Sequence, residues 1–380
     1  MRLSRRGDVD PFIVMDVMEK ARAAEAEGRS IIHMEVGQPG TPAPKAAREA
    51  LAAAMENDAL GYTVALGLPE LRQGIADLYQ RWYGVTVNPE RVIVTSGSSA
   101  AFLLAFTTLF DAGEKVALGL PGYPSYRHIL KALSLEAVGI ETGPQTRYQP
   151  VPDLLPEGIS GLIVASPGNP TGTMLGKPEL ASLAEACKAK GIHFISDEIY
   201  HGLHHDAPAV SALEVTEDVI VINSFSKYFS MTGWRIGWMV VPEAMVRQVE
   251  RLAQNMFICP PHASQIAALG ALSATEELEA NREVYACNRK LMLEGLPKAG
   301  FDKIAPPDGS FFIYADVSDL TTDSRELAAE ILRDAGVAVT PGLDFDPNRG
   351  LTTLRFSYAR SSEDIAEGLR RLADWRAARA

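Results

Sequence analysis

Only three of the 380 residues are cysteine: Cys187, Cys259 and Cys287. They are odd in number, widely spaced and in no paired motif, which argues against a disulfide framework or a zinc site and fits a reduced, cytoplasmic setting. Long apolar runs are missing too. No stretch approaches the ~20 residues that a spanning helix needs. The run Phe12 to Met15, close behind Arg2, Arg5 and Arg6, is too short for a signal-peptide core. The chain is therefore expected to be soluble and untargeted, with no membrane partner. Basic clusters are scarce as well. The formal net charge is -12 and no Lys/Arg run offsets it, so nucleic acid is not an expected partner. Neither GxGxxG nor a Walker pattern is present, so a dinucleotide or nucleoside triphosphate fits poorly. No internal repeat or low-complexity segment is present.

What the chain does contain is ordinary for a globular protein: 47% hydrophobic and 22% charged residues, with length enough for two domains. Residues 10–28 predict a helix with Phe12, Val14, Met15 and Met18 on one side and Gly28 as its stop. Helices from about Pro44 to Met55 and through Leu71, Ile75, Leu78 and Trp82 follow. From Arg91 onward, short apolar runs alternate with helical segments such as Ser98 to Phe110 and Glu179 to Lys190. The runs are Val92 to Thr95, Val116 to Leu120, Leu135 to Ile140, Leu162 to Ala165, His193 to Ser196, Val219 to Asn223 and Ile236 to Val241. About seven buried strands with helical crossovers predict an α/β domain, a mostly parallel sheet covered by helices on both faces. The end of the chain changes style. A strand Ser310 to Ala315, a helix Ser324 to Gly336, strands Val337 to Thr340 and Leu351 to Tyr358, and a closing helix from Ser361 predict a smaller α+β domain. The expected division is an N-terminal arm with part of the small domain at 1–40, a large domain at 41–285 and a small domain at 286–380.

In open sheets of this kind, ligands collect outside the carboxyl ends of the strands. The polar and glycine-rich motifs lie at those ends: Ser96-Gly97-Ser98-Ser99, Pro121-Gly122-Tyr123-Pro124, Ser166 to Gly172, Asp197-Glu198-Ile199-Tyr200 and Ser224 to Lys227. Five loops thus converge on one crevice. Lys227 follows an apolar run and precedes Arg235. Desolvation and that cation would both lower its pKa, freeing the amine to attack a carbonyl and hold it as a Schiff base. Ser98 and Ser99 open an apolar helix, whose free N–H groups and dipole suit a phosphate, with Ser224 and Arg235 as further ligands. A carboxylate at the end of a buried strand, Asp197, needs a cationic partner such as a protonated ring nitrogen. Tyr200 and Asn169 can meet a ring hydroxyl, and Tyr123 can stack on the ring. Amine, phosphate cradle, carboxylate and hydroxyl pair together describe pyridoxal 5'-phosphate.

The chain resembles the class I/II aminotransferases of the fold-type I pyridoxal-phosphate enzymes, related to the aspartate aminotransferases. The matching stretches are Val36-Gly37-Gln38-Pro39, Gly61-Tyr62-Thr63, Ser166 to Gly172, Asp197 to Tyr200, Ser224 to Gly237 and Leu354-Arg355-Phe356-Ser357. The resemblance implies that Lys227 is the Schiff-base lysine and proton shuttle and that Asp197 pairs with the pyridine nitrogen. It gives the ring oxygen to Asn169 and Tyr200, and the phosphate to Ser98, Ser99, Ser224 and Arg235. It assigns Arg355 to the substrate's α-carboxylate, with Gly37 and Asn169 beside the substrate. It also implies a homodimer in which Tyr62 reaches the phosphate of the neighbouring subunit. The segment Gly342 to Arg349, unusually charged for the family, is expected to border the substrate entrance.

His201, His204 and His205 form a polar loop rather than a metal site, because no helix face or carboxylate cluster completes one. The expected reaction is transfer of an amino group between an L-amino acid and a 2-oxo acid. The alternative is a β-eliminating lyase or a cyclopropane-forming synthase of the same fold, which shares every one of these residues.

Overall fold

Residues 2–379 are described by a computed structural model. The short strand β1 (Ile32–His33) precedes the apolar runs, which become β2 (Val92–Thr95), β3 (Lys115–Leu120), β4 (Glu136–Glu141), β5 (Gly161–Ala165), β6 (His193–Asp197), β7 (Ile220–Ser224) and β8 (Gly237–Val240). These last seven form one sheet in the order β2-β8-β7-β6-β5-β3-β4. β8 runs antiparallel to both of its neighbours, while the other pairings are parallel. The reason is its connection. A loop without a crossover helix joins β7 to β8, and such a return produces an antiparallel pair. The start of β8, with Arg235 just before it, therefore lies at the edge where the parallel strands end.

Alternate strand residues enter two different cores. Val92, Val94, Leu162, Val164, Val221 and Trp238 pack on one face with the helices Pro69–Tyr83, Lys177–Lys190 and His262–Ala271. Ile93, Ile163, Ile195, Ile222 and Met239 pack on the other with Ser98–Leu109 and Val246–Met256. Burial on both faces is why these strands read as continuous apolar runs.

A second sheet joins β9 (Lys303–Ile304), β10 (Phe312–Asp316), β12 (Thr340–Pro341) and β13 (Thr353–Ser357) in the order β12-β13-β10-β9. β11 (Val337–Ala338) pairs in parallel with β1 instead. The single strand expected over 337–340 is thus broken at Val339, because its two halves serve different partners. The helix expected over 324–336 is α-helical only over Ser324–Glu330, continues as a π-turn over Ile331–Ala335, and stops at Gly336 with φ +65°. The N-terminal helix spans Ile13–Ala26 and packs Val17 and Ala21 against Ile31, Leu332 and Ala338. Pairing of β1 with β11, and of Met34 with Ala338 and Ser357, carries Val36 and Gly37 to the end of the seven-stranded sheet. Among the described residues no helix is long and apolar enough to cross a membrane.

Candidate active site

All five sequence motifs at the carboxyl edge contribute to one cavity of about 200 Å³. Its lining includes Gly37, Ser98, Ser99, Tyr123, Asn169, Asp197, Tyr200, Lys227, Arg235 and Arg355, ten of the predicted residues, together with Phe12, Val14 and Met15 from the arm.

Lys227 sits in the β7–β8 loop and donates through Nζ to the carbonyl of Gly37 at 2.5 Å. Enclosure, then the Arg355 and Arg235 charges, push its pKa down to about 8, against the opposing pull of Asp197. The amine is thus far easier to deprotonate than a solvated lysine. Gly37 is confined as well, since a Cβ there would stand 2.6 Å from the Phe312 ring.

Asp197 closes β6. Burial pushes its carboxyl up to about 6, although it accepts from the Tyr126 hydroxyl at Oδ2 and from Ile199 N–H at Oδ1, the latter at 3.0 Å. It thus caps a turn, and Tyr200 sits in that turn, 4% exposed.

Opposite lies Arg355 on β13, 3% exposed. It donates through Nη1 to Asn169 Oδ1 at 2.8 Å and through Nη2 to the carbonyl of Glu35. Its guanidinium is held between the Phe312 and Phe345 rings, 4.2 and 4.6 Å from their centroids. Its Nε is buried without a partner. An orphaned charged donor inside a cavity is costly unless a ligand takes it.

At the far end, the helix Ser98–Leu109 begins at Gly97 with no side chain capping it, so its first N–H groups face the cavity. A Cβ at Gly97, φ +77°, would collide with the Arg235 guanidinium, so glycine permits that cation to lie over the helix start.

Residues 29–372 match the family described as aminotransferase class I and II. The valine–pyruvate aminotransferase of Mycobacterium tuberculosis is 49% identical over 98% of both chains. The crystal structure of a Silicibacter pomeroyi protein is 64% identical and superposes with TM-score 0.95 over all of both chains. The aspartate aminotransferase of Thermus thermophilus with maleate is 32% identical, TM-score 0.92, covering 98% of this chain and 100% of that one. The chain belongs to the class I and II aminotransferases.

Two predicted residues of this aminotransferase stand outside the cavity. Ser224 is 1% exposed and lies beneath the Lys227 loop, with its hydroxyl 2.8 Å from that of Ser226 and donating to the carbonyl of Ile236. Ser226 lines the cavity in its stead. Tyr62 is 83% exposed and reaches no part of its own cavity. The segment 342–349 contributes nothing to the lining either. It sits one layer behind, with Phe345 against Arg355 and Asp344 against the arm.

The structure adds residues that the sequence reading did not single out. Tyr126, the partner of Asp197, stands three residues after Tyr123 on the helix Pro124–Ala132, a spacing that puts both on one face. The arm residues Phe12, Val14 and Met15 carry no chemical signature beyond apolarity. The histidine loop is spent on packing. His201 accepts from the Tyr83 hydroxyl at 2.6 Å and donates to the Ser166 carbonyl at 2.9 Å, and His205 lies 3.0 Å from the Tyr358 hydroxyl. Among the described residues no cluster of three metal-binding side chains occurs.

Proposed function

We propose that this aminotransferase binds pyridoxal 5'-phosphate in the 200 Å³ cavity and moves the amino group of a small apolar L-amino acid to a 2-oxo acid. The observation that carries the reading is the convergence, in that cavity, of a lysine amine with its pKa lowered to about 8, a buried carboxylate and a buried, partly orphaned arginine.

The residues present fit the cofactor. The uncapped helix start with Ser98, Ser99 and Arg235 suits its phosphate. Ser224 supports that end from below through Ser226. Asp197 suits a protonated ring nitrogen, Asn169 and Tyr200 the ring oxygen, and Tyr123 the ring face. When bound, pyridoxal 5'-phosphate supplies a carbonyl for amine exchange and a ring that withdraws electrons. Lys227 would supply the amine that holds that carbonyl. Once exchanged, it takes the substrate's α-proton and returns it elsewhere, a task suited to a base with a pKa near neutrality. Arg355 fixes the α-carboxylate, and Asp197 keeps its charge beside the ring nitrogen.

The substrate class follows from the cations. Lys227, Arg235 and Arg355 are the cations this chain gives the cavity, and each has a task, so this chain supplies none for a second carboxylate. The lining also includes Phe12, Val14, Met15 and Val36, which suit an apolar side chain. The name of the valine–pyruvate relative agrees with this choice. Given the cofactor, the protein should make L-alanine from pyruvate with L-valine as donor, and use L-aspartate far more slowly. Equal rates with L-aspartate would overturn the substrate class.

The same reading makes the working unit a homodimer. Tyr62, Val64, Met256 and Ile258 are all large and exposed, and His262 and Gln265 hold the loop that carries Tyr62. Apolar exposure of that kind marks an interface.

A further inference from the structure

The N-terminal helix Ile13–Ala26 has an unusual first turn. Its N-cap, Phe12, offers no side-chain oxygen, and no nearby residue in the chain caps it. The cap comes instead from 330 residues away. Asp344 accepts from Ile13 N–H at Oδ1, 3.1 Å, and from Val14 N–H at Oδ2, 3.3 Å. The carboxylate is 1% exposed, and it meets the positive end of the helix dipole.

Asp344 itself stands on a fixed base. Arg127, on the helix Pro124–Ala132, donates to its carbonyl at 2.6 Å, and Gly122 N–H, in the loop after β3, donates to the carbonyl of Phe345 at 3.0 Å. Phe345 lies against the Arg355 guanidinium. One turn therefore backs the arginine with one residue and anchors the arm with the one before it. The rest of the helix is secured at a distance, by Val17 and Ala21 in their own small core and by Glu25 on His33. The first turn, which presents Phe12, Val14 and Met15 to the cavity, has Asp344 as its cap, beside the packing of Ile13 on that core and of the Phe12 ring on Tyr123.

We infer that Asp344 is the positioning residue for this apolar wall, and that by fixing it Asp344 sets the preference for larger apolar side chains over alanine. The inference rests on the apolar-substrate reading given above. A wall held only by packing would move outward and lose contact with a branched side chain, whereas the methyl group of alanine barely reaches it. Each lost methylene contact in such a pocket changes discrimination measurably. Asp344 also places a negative charge near Arg355, but that charge acts on every α-carboxylate alike and cancels in a ratio of substrates.

The experiment measures kcat/KM of the cofactor-loaded enzyme for L-valine and for L-alanine with a common 2-oxo acid. The wild type comes first: a preference for L-valine is the premise, and its absence would refute the apolar-substrate reading rather than the role of Asp344. In Asp344→Ala the valine-to-alanine ratio should then fall by about fivefold, the size expected when apolar contact with a branched side chain is partly lost. Ile13→Pro is the second variant. It deletes one donor at the first helical position, where proline is tolerated, and leaves the carboxylate and its charge in place. It should lower the ratio in the same direction while turnover of L-alanine changes less than about twofold. A ratio that stays at the wild-type value in Ile13→Pro, or in a folded Asp344→Ala whose activity falls equally for both substrates, would overturn the inference.

Discussion

Arg355 on β13 donates to the side-chain oxygen of Asn169 in the loop after β5 at 2.8 Å, so the two sheets meet at a hydrogen bond inside the cavity. Burial pushes the guanidinium's pKa down to about 10, which leaves it charged at neutral pH and in want of an anion. Arg355→Leu should raise KM for every amino acid tested, because leaving a buried carboxylate unpaired costs about 2–5 kcal/mol. Arg355→Lys should restore only part, since a point charge cannot reproduce the fork. Steady-state kinetics over several substrates decides the matter. If one substrate suffers and the others do not, Arg355 reads the side chain instead.

Tyr126 holds Asp197 in its charged form. Burial raises the carboxyl's pKa to about 6, and the hydroxyl of Tyr126 is the first of the groups opposing that rise. Removing it should raise the value further, so the ionised partner of the cofactor ring appears only at higher pH. In Tyr126→Phe, kcat/KM should fall about tenfold near pH 6 and less near pH 8. Cofactor affinity, followed by absorbance, should weaken on the acid side at a higher pH than in the wild type. Profiles that superpose after scaling would show that Tyr126 only fills space.

Tyr62 is 83% exposed in one chain, and in the proposed dimer it would reach the neighbouring subunit's phosphate end. Refolding Lys227→Ala together with Tyr62→Ala, each nearly inactive alone, tests this. If Tyr62 acts across the interface, a hybrid has one site with both defects and one intact site, and activity returns. If it acts within its own chain, every site keeps a defect and the mixture stays as poor as its parents.

The seven-stranded sheet was legible because its strands are buried on both faces and read as apolar runs between helices. The gathering of Lys227, Asp197, Asn169 and Arg235 in one cavity was legible because Asp197 ends a strand and the other three lie in loops beside strand ends, where polar residues stand out among apolar runs. What the sequence concealed came from distance. The break at Val339 depends on β1 and β13, partners far away in the chain. Ser226 replaces Ser224 in the lining because Ser224, at the end of β7, gives its hydroxyl to the carbonyl of Ile236, a partner twelve residues on that the sequence does not mark. The charges of 342–349 suggested an entrance, yet Asp344 turns inward to cap a helix and Asp346 pairs with Arg349. A lone aspartate carries no mark of which helix it will cap.

The central claim is that Lys227 serves transfer of an amino group, not its elimination. Wild-type protein loaded with pyridoxal 5'-phosphate is mixed with excess L-valine and no 2-oxo acid, and the released 2-oxo acid and ammonia are counted. One equivalent of 2-oxo acid per bound cofactor should form and the reaction should stop, to resume with matching L-alanine when pyruvate is added. Lys227→Ala, at equal cofactor content, should do neither at a measurable rate in amine-free buffer. No 2-oxo acid from L-valine, with continued release of pyruvate, ammonia and chloride in equal amounts from β-chloro-L-alanine, whose chloride can leave from the β-carbon, would contradict transfer.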